Sequence, residues 1–439
     1  MKLQKITIDN FRCFKHFEIT MAKGVSLLIG RNGVGKTSLI KAIVYSLHFI
    51  FTNDKSMGDD FLSAGNPDLK MSSLSYGEFY REPEGASASA DANFHGEMLY
   101  GDKHIVWDMY RRSTSGSSLY PSKYLAAYHD FMNQYKENDI LPVIAYFSDS
   151  FPHKESNVSS FAKKQIDSFG GVLRNFGYYQ WDNENACTTI WQQRLVNALI
   201  KSASIDDVDD FSSCESRYVI DLMIKFSKPI TENCDTNFEI KKVFFAFTAD
   251  KKPELWLRMT SGRDIPFSDL PAGYLRIYSI VLDIAYRAFI LNRNANLNPV
   301  GLVIIDEIDL HLHPSLALEI VERFTKTFEE IQFIISTHSP IVMSRLPDNN
   351  GNNKIFKLIS DNKGPSIITD NNVYGIDYNS ILTDFLGINQ YEDDINFLVK
   401  SIEALRKMGR DDLVEKRKKE LLNLVGEAKF NKLMNDHIE

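Results

Sequence analysis

The feature that most constrains this chain is the loop Gly30-Arg31-Asn32-Gly33-Val34-Gly35-Lys36-Thr37. It follows the apolar run Val25–Ile29 and precedes a helical pattern, so it is predicted to connect a buried strand to a helix. Glycines let such a loop curl until its backbone N–H groups surround a phosphate, and the helix N-terminus favours anions. The pattern therefore predicts a phosphate site whose contacts come from Gly30, Asn32, Gly33, Gly35, Lys36, Thr37 and Ser38.

Two side chains of this loop have predicted chemical roles. Lys36 carries the positive charge that would neutralise the β- and γ-phosphates of ATP. The Thr37 hydroxyl would coordinate Mg²⁺. A glycine-rich turn can arise by chance, but the strand before it and the helix after it favour the functional interpretation. The sequence thus predicts ATP and Mg²⁺ as cofactors.

A second apolar run, Gly301–Ile305, ends in the carboxylates Asp306 and Glu307. In open parallel sheets, ligands bind at the carboxyl ends of the strands. We expect Asp306 to hold Mg²⁺ together with Thr37, and Glu307 to act as the catalytic residue that orients or deprotonates the attacking water. Adjacent acidic residues after a strand are often only a solvated loop, so this interpretation depends on the phosphate loop.

A third apolar run, Phe333–Ile335, leads to His338. We expect this strand to deliver His338 to the same edge of the sheet, where it would hydrogen-bond the γ-phosphate and take part in catalysis. The alternative is a core histidine whose hydrogen bonds are satisfied within the protein.

Length and pattern together predict an α/β chain of several parts. The chain has 439 residues, of which 44% are hydrophobic and 25% charged, as in folded globular proteins. We expect a mixed sheet with a helical insertion and a charged helical tail. The predicted parts are a first lobe over 1–150 with a β-meander, the insertion over 151–235, a second lobe over 236–390, and the tail over 391–439.

Composition excludes several protein classes. No apolar run reaches the roughly 20 residues that span a bilayer, and the N-terminus opens directly into strand-like sequence, so we expect neither a membrane span nor a signal peptide. The four cysteines form no C-x-x-C pair, which argues against a zinc cluster and favours the cytoplasm. The net charge of −8 gives no general support for nucleic-acid binding, although Lys416–Lys419 forms a local basic run.

These three elements, in this order, resemble the head of the ATP-binding-cassette ATPases. The opening Ile8–Phe14 resembles the branch that holds the SMC, RecF and OLD proteins, and Leu310–Pro314 after the acidic pair resembles the OLD-like ATPases. The resemblance implies a P-loop ATPase whose site is completed by a second subunit. It also implies that Arg12 reaches the nucleotide, although a surface charge at a strand turn explains Arg12 equally well.

The cassette family carries a signature segment that acts on the nucleotide of the opposite subunit. Its best match is Leu270–Tyr274, where Ala272 and Gly273 would face the γ-phosphate from the start of a helix. Pro271 replaces the usual serine and offers neither hydroxyl nor N–H. Hydrolysis is therefore slow, or Gly273, Arg276 and the helix dipole perform the task of the signature. An ordinary helix start is the alternative.

Two softer segments, Leu270–Arg287 and Tyr374–Leu382, resemble the ATPase subunits of Septu-type bacterial defence systems, which also occur beside retrons. That resemblance implies a homodimer or higher oligomer that assembles with an HNH nuclease, controls it, and meets nucleic acid through the complex. The partner is expected to dock on the insertion, on the tail, or on both, and exposed aromatic side chains of the insertion would anchor it. The aromatic candidates are Tyr178, Tyr179 and Trp181.

Two other functions compete with this one. An OLD-type nuclease would need a fused TOPRIM domain, but only about a hundred residues follow His338 and they hold no D-x-D after a buried strand. We therefore expect no nuclease activity in this chain. A RecF-like or SMC-related repair ATPase would bind DNA directly. The middle of the sequence lacks the sustained heptads of coiled-coil arms, which speaks against the SMC-related form.

Overall fold

The computed structural model falls into two compact units, Met1–Tyr374 and Gly375–Glu439, each of which is described by itself. The residues that the structure describes are 1–51, 62–69, 73–82, 89, 91–112, 120–122, 124–150, 158–182, 188–204, 210–231, 237–361, 364–370, 373–376, 380–381 and 393–437.

The described strands all lie in the first unit. They are β1 (Lys2–Phe11), β2 (Phe14–Thr20), β3 (Val25–Ile29), β4 (Asp91–Tyr100), β5 (Lys103–Arg112), β6 (Tyr120–Ser122), β7 (Val143–Phe147), β8 (Ile240–Phe247), β9 (Pro253–Met259), β10 (Asp264–Pro266), β11 (Val300–Ile305), β12 (Glu330–Ser336), β13 (Lys354–Asp361) and β14 (Gly364–Asp370).

The described α-helices occupy both units. They are α1 (Lys36–Leu47), α2 (Tyr124–Asn138), α3 (Ser160–Ile166), α4 (Thr188–Ala203), α5 (Phe211–Ser227), α6 (Ala272–Asn292), α7 (Pro314–Ala317), α8 (Ile320–Thr327), α9 (Pro340–Met343), α10 (Asp393–Lys407), α11 (Asp411–Val425) and α12 (Glu427–His437). Within the described ranges, none of the helices has both the length and the apolar character needed to cross a membrane.

A six-stranded sheet of order β14-β13-β3-β12-β11-β7 forms the centre of the first unit. Its strands pair in parallel except for the antiparallel pair β13–β14. Strands β3, β7 and β11 read as continuous apolar runs because the sheet is covered on both faces. The carboxyl ends of β3, β11 and β12 consequently meet at one edge. The predicted α/β class with a mixed sheet is confirmed.

A second sheet, of order β2-β1-β4-β5-β6, is antiparallel. Buried and exposed residues alternate along β4 and β5, as expected for strands with one face towards the core. The Trp107 indole donates a hydrogen bond of 2.7 Å to the Ser46 carbonyl, which fixes this sheet to α1. The meander predicted before residue 118 is present in β4 and β5. Its predicted tip, Gly85–Ala90, lies almost entirely outside the described residues.

Helix α6 runs through the core of the first unit, and every residue from Arg276 to Leu291 is buried. The sequence pattern indicates one apolar face, whereas the structure covers the helix on all sides. The reason is that α4 and α5 pack on its outer side. The Trp191 ring stacks on Tyr286 with centroids 5.3 Å apart, and its indole N–H donates to Asp283 at 2.7 Å.

The prediction that Tyr178, Tyr179 and Trp181 are exposed is wrong. None of the three is more than 2% exposed. The Tyr178 hydroxyl donates to the Pro142 carbonyl at 2.7 Å, and the Trp181 ring packs 5.0 Å from the ring of His48. Aromatic side chains supply large apolar areas, and here they attach this segment to the residue before β7 and to the turn that follows α1.

The second unit holds α10, α11 and α12, and its described residues form their own small core. The buried members are Ile395, Leu398, Val399, Ile402, Val414, Leu421 and Leu433. Large apolar side chains also lie on the outside, notably Phe397 (61% exposed) and Met408. The Arg417 guanidinium lies 5.7 Å from the centre of the Phe397 ring. The division into four parts expected from the sequence stays a prediction.

Candidate nucleotide site

The phosphate loop lies between β3 and α1, as its sequence predicts. Gly35, the residue before α1, has a φ of 107°, which a residue with a side chain rarely adopts. A Cβ atom there would also lie only 2.8 Å from the Cys13 sulfur. The turn between β1 and β2 therefore packs directly on the loop, and the Ser38 side chain is hydrogen-bonded to the Cys13 thiol. Asn32, Gly33 and Thr37 remain exposed to solvent.

Lys36 is folded back over the loop. Its ammonium group donates to the carbonyl of Gly30 at 2.8 Å and to that of Arg31 at 3.2 Å. Burial lowers the pKa of Lys36, and three nearby carboxylates, led by Asp306, act in the opposite direction. A buried ammonium that is hydrogen-bonded only to carbonyls can turn towards a stronger acceptor, such as a phosphate.

Thr37 and Asp306 meet across the site. The Thr37 hydroxyl donates to one carboxylate oxygen of Asp306 at 3.1 Å, and the Ser336 hydroxyl donates to the other. Burial raises the pKa of Asp306, while the bonds from Ser336 and Thr37 act to lower it. A hydroxyl and a carboxylate oxygen this close fit one Mg²⁺ ion, because hard oxygen atoms are its preferred ligands. The structure brings these two residues together, and their role as Mg²⁺ ligands stays a prediction.

Glu307 and His338 face each other beside this pair, with 3.8 Å between Glu307 Oε1 and His338 Nε2. The His338 side chain is 35% exposed, so it is not an enclosed core histidine. Partial burial lowers the pKa of His338, and Lys36 lowers it further, although Glu307, Asp309 and Asp306 oppose this. The imidazole is therefore held neutral at pH 7, able to donate or accept one hydrogen bond.

Sequence reasoning missed three residues of this site: Ser336, Thr337 and Asp309. The Thr337 hydroxyl donates to the Asp309 carboxylate and accepts the backbone N–H of Ser339 at 2.9 Å. It thereby fixes the backbone on both sides of His338. The sequence did show two hydroxyl residues, Ser336 and Thr337, directly before His338, and a further carboxylate, Asp309, after Glu307. Neither pattern indicates by itself which strand end those side chains will contact.

Arg12 forms an ion pair with Glu78, with 2.8 Å between Nη2 and Oε1. Burial acts to raise the pKa of the Glu78 carboxyl, whereas its three hydrogen bonds act to lower it. The pKa of Glu78 is lowered overall. Arg12 adopts a φ of 49° in the tight turn between β1 and β2, next to Cys13. This turn touches the phosphate loop, but the Arg12 charge is already paired with Glu78, so contact with a nucleotide stays a prediction.

The signature segment has an exposed and a buried part. Pro271 occupies the position before the first residue of α6, and both Pro271 and Ala272 are exposed. Gly273 is buried against the loop that follows Glu307, where a Cβ atom would lie 2.5 Å from the His311 carbonyl oxygen. Only glycine allows this close approach. The exposed first turn of α6 is thus attached to the acidic loop of the same chain.

Arg276 does not point outward with the exposed first turn of α6, so its share in the signature's task, one of two alternatives from the sequence, stays a prediction. Its guanidinium is buried and donates to the carbonyls of Asp306 at 2.7 Å, Asp149 at 3.0 Å and Ser148 at 3.3 Å. Burial lowers the pKa of Arg276, while Asp149 and the other acids raise it. Arg276 therefore joins α6 to the ends of β7 and β11. No glutamine stands at the end of β7, where Ser148 and Asp149 lie.

Two models of protein families match this chain. Residues 100–344, more than half of the chain, match the family model described as "AAA domain, putative AbiEii toxin, Type IV TA system". The chain belongs to this AAA-domain family. A second model, described as "AAA ATPase domain", matches residues 1–79 of this AAA-domain chain and includes the phosphate loop.

Among curated relatives, the "Retron Vc95 probable ATPase" of Vibrio cholerae serotype O1 biovar El Tor is 25% identical over 94% of this chain and 85% of its own length. The "Retron Ec83 probable ATPase" of Escherichia coli is 48% identical over 18% of this chain and 15% of its own. The "Septu protein PtuA" of Bacillus mycoides (strain KBAB4) is 33% identical over 36% of this chain and 21% of its own. The resemblance to retron-associated and Septu-type ATPases is confirmed.

The similarity to one solved structure is distant. The SmcHead bound to the C-winged helix domain of ScpA covers 84% of this AAA-domain chain and 98% of its own chain, with 12% identity and a TM-score of 0.48. The fold assignment rests instead on the strand order of the central sheet and on the phosphate loop after β3.

Proposed function

We propose that this chain binds and hydrolyses ATP. The observation that carries the proposal is the Thr37–Asp306 contact of 3.1 Å, because it joins the phosphate loop to the acidic strand end at one point. Lys36, Glu307 and His338 surround that point. Phosphoryl transfer needs a cation at the phosphates, a metal site and a group that positions water, and these residues supply all three.

In this proposal each side chain performs one step. Lys36 leaves its carbonyl partners and binds the β- and γ-phosphates. Thr37 and Asp306 would hold Mg²⁺, which would neutralise charge on the phosphate oxygens when bound. Glu307 orients the attacking water and accepts its proton. Neutral His338, which lies beside Glu307, hydrogen-bonds the γ-phosphate.

We also propose that two chains pair head-to-tail, with ATP at the interface. The site of one chain leaves the γ-phosphate open to water, so a second surface must close it. The exposed first turn of α6 fits that task, because a helix N-terminus favours an anion. Pro271 removes the usual serine contact, which supports slow hydrolysis.

Steady-state turnover of Mg·ATP tests the ATPase proposal, with Glu307→Gln as the diagnostic variant. Glutamine preserves the shape but removes the base, so ATP should bind and persist while turnover falls at least about 100-fold. Glu322→Gln on α8 is the matched control, because Glu322 is paired with Lys326 on the helix surface and should leave turnover unchanged. Unaltered turnover in Glu307→Gln would remove Glu307 from the catalytic role.

We further propose that the chain controls a nuclease of the HNH class in a bacterial defence complex of the cytoplasm. The relatives named as retron ATPases and as Septu PtuA support this proposal. ATP would keep the nuclease restrained until infection or nucleotide depletion, and any nucleic acid would be met through the complex. We place the docking site on the second unit, because Phe397 offers an exposed aromatic anchor there.

Co-purification with the product of the neighbouring gene, which the proposal expects to be an HNH nuclease, tests the partner proposal. Phe397→Asp should weaken the complex at least tenfold, whereas Val106→Asp, an equally drastic change at an exposed site on β5, should not. Nuclease activity of the complex should rise when ATP is removed. A complex that tolerates Phe397→Asp would exclude this docking site. Nuclease activity of the isolated chain would exclude the proposal that only the partner cuts nucleic acid.

A further inference from the structure

Ser336, the last residue of β12, makes three hydrogen bonds to the acidic loop that follows β11. Its side chain is fully buried. Its hydroxyl donates to Asp306 and accepts the backbone N–H of Glu307 at 2.8 Å. Its carbonyl accepts the N–H of Ile308 at 3.1 Å. One residue thus contacts three consecutive positions of the loop.

Strand register explains why Ser336 reaches this loop. The parallel pairing of β11 with β12 places Ile305 opposite Ile335, so the residues that follow them, Asp306 and Ser336, lie side by side. A serine side chain is short enough to bond its neighbour's carboxylate and the following N–H together. Because the hydroxyl has a single proton, donating it to Asp306 directs a lone pair towards the Glu307 N–H.

Glu307 needs this support because its backbone is in the left-handed region, with a φ of 50°. A residue with a side chain adopts this conformation only when the surrounding structure imposes it. Among the described residues, the Glu307 N–H is hydrogen-bonded only to the Ser336 hydroxyl. The same hydroxyl donates a hydrogen bond to Asp306. The orientation of the Glu307 carboxylate therefore depends on a side chain that never reaches the reacting atoms.

We infer that Ser336 is a positioning residue for ATP hydrolysis, which holds the base Glu307 and the metal-binding Asp306 in one fixed relation. This inference rests on the proposed ATPase function. Replacing the hydroxyl by hydrogen, as in Ser336→Ala, would leave the Glu307 N–H and one oxygen of the buried Asp306 carboxylate each short of one partner. The loop would then shift, and displacements of about 1 Å in an active site can reduce a rate by about 100-fold.

The experiment compares Ser336→Ala and Ser336→Thr with wild type in the full chain. Ser336→Ala should lower kcat by about 10- to 100-fold and change KM by less than about threefold, because Lys36 and the phosphate loop are intact. Ser336→Thr retains a hydroxyl and should recover most of kcat. Binding of a fluorescent ATP analogue, measured without turnover, should stay within about threefold of wild type in both variants.

Ser26→Ala is the matched control, since Ser26 is a buried serine of the neighbouring strand β3 whose hydroxyl accepts the Ala22 N–H. It should lower thermal stability as much as Ser336→Ala does while leaving kcat unchanged. Equal kcat in Ser336→Ala and wild type would overturn the inference, as would equal losses in Ser26→Ala or no recovery in a folded Ser336→Thr. If wild type binds but does not hydrolyse ATP, the proposed function itself fails.

Discussion

The Thr37 hydroxyl and the Asp306 carboxylate lie 3.1 Å apart, although 269 positions separate them in the sequence. They follow β3 and β11, two strands of the same sheet that are separated only by β12. Parallel strands bring their carboxyl ends to one edge, so polar residues of the segments that follow the two strands meet there. The proposed metal site and the phosphate loop are therefore in direct contact, and disturbing either should affect the other.

Lys36→Ala should abolish tight ATP binding, raising the Kd at least about 100-fold, because its ammonium is the charge that the phosphate loop directs at the phosphates. Isothermal titration with a non-hydrolysable ATP analogue measures this. Lys23→Ala, at an exposed lysine just before β3, is the control and should bind normally. Binding that is equal in the two variants would contradict the role of Lys36.

Ala272→Asp should prevent ATP-dependent pairing of two chains without unfolding either one. A carboxylate in the first turn of α6 stabilises the helix by about 0.3–1 kcal/mol, but it would repel the partner's γ-phosphate in a site poor in water. Light scattering with ATP, in the Glu307→Gln background, measures the dimer, and Ala272→Ser is the control. Gly273→Asp is less informative, because its Cβ would strike the His311 carbonyl within the same chain. A dimer that survives Ala272→Asp would disprove this interface.

Arg194→Met should destabilise the first unit by about 3–5 kcal/mol, because it leaves the buried Glu215 without its partner. Both side chains are inaccessible to solvent, and the Arg194 guanidinium donates two hydrogen bonds of 2.7 Å to the Glu215 carboxylate. Burial raises the pKa of Glu215 despite the opposing attraction of Arg194. The double variant Arg194→Met/Glu215→Leu should lose less than Arg194→Met alone. Urea denaturation measures both, and a larger loss in the double variant would contradict this account.

His338→Gln should change how the stability of the nucleotide-free protein depends on pH. The pKa of His338 in the folded chain lies below its ordinary value near 6.5, so the unfolded chain binds this proton more readily. The stabilisation from neutral His338 is complete above pH 6.5 and declines as the pH falls towards the folded pKa. The free energy of unfolding of wild type minus that of the variant should therefore be larger at pH 8 than at pH 5. Denaturation at both pH values checks the sign, and a larger difference at pH 5 would contradict it.

Local sequence was enough to predict which side chains come together at the site. The phosphate loop, the pair Asp306–Glu307 and His338 each follow a short apolar run, and such runs predict buried parallel strands. A strand that ends in a reactive side chain carries that side chain to the ligand-binding edge wherever the strand lies in the sheet. The fold class and the convergence of these residues therefore followed from patterns of fewer than about ten residues.

Tertiary structure alone decided which other residues complete the site and which surfaces remain free. Ser336 contacts Glu307 because of the register between β11 and β12, and Arg276 points inward because α6 is covered on all sides. Tyr178 is buried for a similar reason, since its segment packs against the sheet. Composition and periodicity describe a residue's own segment, whereas register and coverage depend on distant segments. For this reason the sequence alone predicted the strand ends that carry Lys36, Asp306 and His338, whereas the contacts of Ser336 and Arg276 were decided by the packing of distant segments.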